Sequence, residues 1–231
     1  MPVAALQTWL RVQAAVWLPA LVVLGVCGAA GPVPGWAHAL LAGIAVSFAS
    51  LAWILRAGNL ADLVTMARVA LLLVVIGLGA GQPGFAVWTA AVAVVLLDLV
   101  DGALARRFGA SPGGAVLDME ADQLATLGLA ALVFSIGGKA WVLLLPAMRP
   151  AFVLAAWWLG IPAHEPKPVN GDNRRGRAVC AAVMIALLIA LCPATGPFVR
   201  DVVTGIAVLL LAWSFLADAR FLLAHRARAR A

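Results

Sequence analysis

Five of the ten acidic residues, Asp98, Asp101, Asp118, Glu120 and Asp122, fall between positions 98 and 122. In Asp98-Leu-Val-Asp101-Gly102-Ala-Leu-Ala105-Arg106, offsets of 0, +3, +4 and +7 set two carboxylates, a glycine and an alanine on one helical face. In Gly114-Ala-Val-Leu-Asp118-Met-Glu-Ala-Asp122, offsets of 0, +4 and +8 do the same for a glycine and two carboxylates on the next helix. A short turn makes the two helices antiparallel neighbours, so Asp98, Asp101, Asp118 and Asp122 can converge. Four converging carboxylates repel one another and lose hydration unless cations neutralise them. Hard oxygen ligands without His or Cys point to Mg²⁺ or Mn²⁺, or Ca²⁺, and four of them suit two ions about 3.5–4 Å apart that bind phosphate well. Gly102 and Ala105 leave a bare strip beside that cluster, and Arg106 offers a fork for phosphate oxygens. Glu120 falls off the line joining Asp118 to Asp122 and is expected to lie outside the site, pairing with a neighbouring helix.

The elements that must hold these groups are membrane helices. The chain has 231 residues, 65% hydrophobic and 11% charged, with a mean hydropathy of +1.05. That composition excludes an ordinary water-soluble enzyme, and about 20 apolar residues per span leaves no room for a separate soluble catalytic domain. The expected fold is all-α, a polytopic integral membrane bundle of about eight transmembrane helices. Residues 12–55 carry no charge and break at Gly31-Pro32-Val33-Pro34-Gly35, which reads as a helical hairpin. Further spans are expected at 61–80, from 85 to Arg106-Arg107, at 114–136, 139–160, 178–191 and 202–217. The basic tail from Arg220 reads as a short interfacial helix. Arg56, Arg106, Arg107, Lys167, Arg174, Arg175, Arg177 and the tail arginines share one side, which puts both termini and the carboxylates at the cytoplasmic face. Lys139 and Arg200 fit that bias less well. A net charge of +6 is explained by those loops and does not call for nucleic acid. Cys27, Cys180 and Cys192 lie in apolar runs, and His38, His164 and His225 have no ligand spacing, so a zinc site has no support.

The two acidic helices together resemble the CDP-alcohol phosphotransferase (CDP-alcohol phosphatidyltransferase) signature, D-x2-D-G-x2-A-R-x8-G-x3-D-x3-D. Asp98, Asp101, Gly102, Ala105, Arg106, Gly114, Asp118 and Asp122 match it in order, with seven residues instead of eight between Arg106 and Gly114. Asp62, Thr65 and Arg68 stand where the family carries N-x2-T-x2-R, with Asp for Asn. The resemblance implies that these three, with Gly102, Ala105, Arg106 and Gly114, bind the CDP donor. Taken without it, they read as an N-cap, a tolerated hydroxyl and a snorkelling arginine. Gly176-Arg177 resembles the family's Gly-Lys.

What the resemblance implies is transfer of a substituted phosphate from CDP-diacylglycerol to an alcohol, with release of CMP. Asp98, Asp101, Asp118 and Asp122 would hold Mg²⁺ or Mn²⁺, and Asp122 would take the proton of the attacking hydroxyl. Arg149, a charge midway along a span, together with Arg174, Arg175 and Arg177, would favour an anionic acceptor. Head-group transfer from a soluble CDP-alcohol to a lipid, a divalent-cation transporter and a silent scaffold are the alternatives. A bacterial inner membrane is the expected location. The chain divides into a two-helix extension (1–56), a six-helix core (57–222) and a basic tail (223–231). Gly77-Leu-Gly79-Ala-Gly81 offers a small-residue surface for a homodimer, or for packing within one chain.

Overall fold

Long apolar runs in a lipid environment can satisfy their backbone only internally, and the computed structural model is all-helical. It describes residues 36–79, 84–109, 111, 113–158 and 174–230, with residues 8, 9, 12, 13 and 16; the side chains of 36–41, 156, 157, 174 and 221–230 lie outside that description. The described residues form α1 (Trp36–Leu55), α2 (Leu60–Gly79), α3 (Phe85–Phe108), α4 (Gly114–Ser135), a 3-10 turn (Ala140–Leu143), α5 (Leu144–Trp158), α6 (Arg174–Leu191) and α7 (Pro197–Arg230). The first of the expected eight spans lies almost wholly outside the described residues, so the described α-helices number seven. The turns at 31–35 and 81–83 and the loop at 159–173 lie outside them as well. Helices α2, α3 and the Pro197–Arg220 part of α7 are long and apolar enough to cross a membrane.

Helix α4 fails that test because of its acids, and it occupies the centre of the bundle. It packs against α1, α2, α5, the 3-10 turn and α6, with Leu117, Leu124, Leu129 and Val133 fully buried. A helix sheathed by other helices can carry charge that a lipid-facing helix cannot. Its approach to α2 depends on Gly128, where an added Cβ would lie 2.4 Å from Ile76 Cδ1. Gly79 is likewise spent on packing within the chain, against Val87 and Leu132; Gly77 is exposed and Gly81 lies outside the described residues.

Two contacts define the ends of the bundle. At one, Asn59 Nδ2 donates to Gly109 O at 3.3 Å, so the α1–α2 and α3–α4 junctions lie together. At the other, Arg200 donates to the carbonyls of Ala190 (3.0 Å), Ile136 (3.1 Å) and Thr195 (3.4 Å). Ala190 lies in the last turn of α6, Ile136 caps the C-terminal end of α4, and Thr195 lies in the segment after α6, so Arg200 serves carbonyls at two helix ends. Arg200 departs from the charge bias of the loops because it caps helices.

The expected span at 139–160 opens as the 3-10 turn, and α5 itself has 15 residues with Pro150 inside it. Proline has no N–H for the carbonyl four residues back, which frees Pro146 O. Gln123 of α4 donates its side-chain amide to that oxygen at 2.6 Å. The tail does not form a separate helix, since α7 continues unbroken to Arg230.

Candidate active site

The site lies at the end of the bundle where α2 begins, α3 ends and α4 begins. Asp98 and Asp101 come from the last turns of α3, Asp118 and Asp122 from the first turns of α4, and α2 supplies one cation between them. Arg68 pairs with Asp98 through Nη1 and stands 3.8 Å from Asp101; its Nη2 pairs with Asp118 at 3.0 Å and Asp122 at 3.1 Å. Arg68 is 2% exposed and Asp101 4%, whereas the side chains of Asp98, Asp118 and Asp122 keep 36–45% of their surface open. The cluster is thus walled on the α2 side and open on the other. Thr65 Oγ1 stands 2.9 Å from Asp101 Oδ2 and 3.1 Å from Ala61 O, which fixes that carboxylate against α2.

Among the described residues one guanidinium faces four carboxylates, an excess of three formal negative charges if all four are ionised. Asp98, Asp101 and Asp118 each present an oxygen within 4.8 Å of the other two, a donor set and spacing that suit a hard divalent cation. Asp122 stands outside that trio and is tied to it through Arg68. Among the described residues, the buried side-chain polar atom left without a hydrogen-bond partner is Arg68 Nε. The aspartates therefore fit a hard divalent ion.

The remaining sequence candidates divide. Gly102 is open: a Cβ there would meet only Arg106 Nη1, at 3.4 Å, so exposed Arg106 folds back over the bare strip that Gly102 and Ala105 leave beside the aspartates. Gly114 is closed, since a Cβ would come within 2.9 Å of both Asp62 Oδ1 and Ser111 Oγ. Asp62 is buried, with its two oxygens taken by the N–H groups of Gly58 and Asn59 and by the Ser111 hydroxyl. The N-cap of α2 is thus Asn59, whose Oδ1 accepts from the Asp62 N–H, and Asp62, expected as the cap itself, is its reciprocal partner in the first turn. Asn59 and Ser111 were not singled out in the sequence, although Asn59-x-x-Asp62 has the spacing of a capping box.

Arg149 has its partner outside the cluster. It pairs with Glu120 and approaches Met119 O at 3.5 Å, which joins α5 to the side of α4 away from the aspartates. Glu120 is thereby held by a neighbouring helix, as its position off the Asp118–Asp122 line required. Arg175 pairs with Asp218 of α7 and lies over the Trp213 ring at 5.5 Å. Arg177 is exposed on the first turn of α6, and the side chain of Arg174 lies outside the described residues.

A family model described as CDP-alcohol phosphatidyltransferase matches residues 58–215, from just before α2 into α7, with α1 outside the match. Comparison with curated proteins and with solved structures gives no match.

Proposed function

Because the chain belongs to the CDP-alcohol phosphatidyltransferase family, a family of membrane transferases in phospholipid synthesis, we propose that it transfers a phosphatidyl group from CDP-diacylglycerol to an alcohol acceptor and releases CMP. The observation that carries this reading is the convergence of four aspartates from α3 and α4 on one buried arginine, open on one side. Asp98, Asp101, Asp118 and Asp122 would hold Mg²⁺ or Mn²⁺, two ions by the family's chemistry. When bound, that charge would draw in the diphosphate and offset the negative charge growing on departing CMP.

The protein's own groups do the rest. The acceptor oxygen attacks the phosphatidyl phosphorus, the bond from that phosphorus to the oxygen of CMP breaks, and Asp122 takes the hydroxyl proton. Thr65 and Arg68 set the directions of the carboxylates, so that little reorganisation is needed as charge moves. Gly102 and Ala105 let the donor approach the α3 backbone, with Arg106 on a phosphate oxygen. Arg149, Arg174, Arg175 and Arg177 form the basic set toward an anionic acceptor. A site at a helix end lets acyl chains stay in the bilayer while the nucleotide stays in water. The location we propose is a bacterial inner membrane, with the site and both termini cytoplasmic. Residues 1–56 form an extension to a catalytic core at 57–222, with a basic tail at 223–231.

The test is CMP release by purified, detergent-solubilised protein given CDP-diacylglycerol, Mg²⁺ or Mn²⁺ and a pool of alcohols, with mass spectrometry of the lipids. A new phospholipid names the acceptor. CMP only from soluble CDP-alcohols would transfer the reading to head-group chemistry, and no CMP from either donor would overturn it.

A further inference from the structure

The two places where this chain departs from the family signature, Asp at position 62 and the seven-residue interval between Arg106 and Gly114, meet in space. Asp62 Oδ1 accepts from Ser111 Oγ at 3.0 Å. Its Oδ2 accepts from the backbone N–H groups of Gly58 at 3.0 Å and Asn59 at 3.3 Å, while Asn59 Oδ1 accepts from the Asp62 N–H at 2.9 Å. That exchange is a reciprocal cap on α2. Asn59 then reaches the same turn through Nδ2 and Gly109 O, at 3.3 Å. Three donors converge on one carboxylate that is 3% exposed. An ionised carboxylate has lone pairs for all three; an asparagine has one acceptor oxygen and would present its NH₂ to donors on the other side.

We infer that Asp62 is a positioning residue which, with Asn59 and Ser111, clasps the start of α2 to the turn joining α3 and α4 and thereby sets the separation of the two aspartate faces. Asp118 lies one helical turn beyond Gly114, so a shift of the turn passes to it almost undiminished. The requirement for glycine at 114 has the same origin, because the clasp leaves no room for a Cβ. The inference deepens the proposed function and rests on its reading of the aspartates as a cation site.

The experiment measures Mn²⁺ affinity of the purified full-length protein by electron paramagnetic resonance, without nucleotide, alongside thermal melts. Loss of a hydrogen-bonded support behind metal ligands costs roughly tenfold or more in affinity. The expected result is that loss in Asp62→Asn and a smaller one in Ser111→Ala, which keeps the α2 cap and so reports on the clasp even if Asp62→Asn fails to fold. Unchanged Mn²⁺ affinity in Ser111→Ala and in folded Asp62→Asn, with a raised KM for the CDP donor alone, would make Asp62 a substrate contact and overturn the clasp. Absence of Mn²⁺ binding in the wild type, or binding that survives Asp98→Asn, would overturn the cation-site reading and the clasp with it.

Discussion

On one side of α4, Asp118 and Asp122 share a single guanidinium with Asp98 and Asp101; on another, Glu120 has Arg149 to itself. Both arrangements pair acids of one helix with an arginine of a neighbour. They differ in balance. Glu120 is 4% exposed at its side chain and its charge is matched one to one, and one turn further on Gln123 closes the carbonyl that Pro150 frees. Charge on that side is balanced within the pair, so an acceptor meeting Arg149 has to share it with Glu120. The aspartate side is partly open and, among the described residues, formally three charges short of neutral with all four carboxylates ionised, an excess that protonation or a bound cation relieves. A matched ion pair between helices is architecture; the unmatched one facing an opening is where we propose that a ligand binds.

The largest effects should come from the unmatched side. Asp98→Asn or Asp122→Asn should lower kcat/KM for CMP release by about 10³-fold or more. Because each change removes a like charge from a crowded group, the melting temperature should hold or rise. A purified Asp122→Asn variant with near wild-type turnover would end its assignment as the base. Chelation should abolish activity, and Mg²⁺ or Mn²⁺ should restore it. The same ions should raise the melting temperature of the wild type and do so less in Asp118→Asn, since an ion held as proposed by the folded cluster would relieve its repulsion.

On the matched side the expected losses are of stability. Glu120→Gln leaves Arg149 half-buried without its counter-ion and should cost about 3 kcal/mol, with the double change Glu120→Gln/Arg149→Met recovering a good part of it. The same pair decides whether Arg149 also meets the acceptor. Arg149→Ala should raise KM for an anionic acceptor more than for the CDP donor, and equal effects on both would confine Arg149 to holding α5 on α4.

Much of this division could be read from spacing. Offsets along α3 and α4 bring Asp98, Asp101, Asp118 and Asp122 together and turn Glu120 away, because helical periodicity is a local property. What spacing does not carry is the partner on another helix. Arg68 belongs to the expected donor-binding triad, and its guanidinium also pairs with the aspartates; Asp62 of the same triad also accepts from Ser111 in the turn. Neither contact is visible until α2 is laid against the α3–α4 junction. Arg200 looked misplaced for the same reason, since the carbonyls it satisfies belong to α4, α6 and the segment after α6. The form of the 139–160 span also went beyond local pattern, since it opens as a 3-10 turn and carries Pro150 inside α5.

The smallest effect is the most selective test of the comparison. Gln123 is 7% exposed and its amide faces Pro146 O, the acceptor that proline at 150 cannot serve. Replacing Gln123 by Leu keeps the volume and removes the donor, leaving one buried carbonyl unpaired. Polar contacts between membrane helices are worth about 0.6 kcal/mol on average and up to about 1.7, so Gln123→Leu should cost about 1 kcal/mol in unfolding. CMP release should stay within about twofold, since no charge near the aspartates changes and a 1 kcal/mol loss spread over a folded bundle barely lowers the folded fraction. If Gln123→Leu instead lowered activity as far as Asp98→Asn does, the two sides of α4 would be one functional unit, and charge balance would no longer distinguish the wall of this site from the site itself.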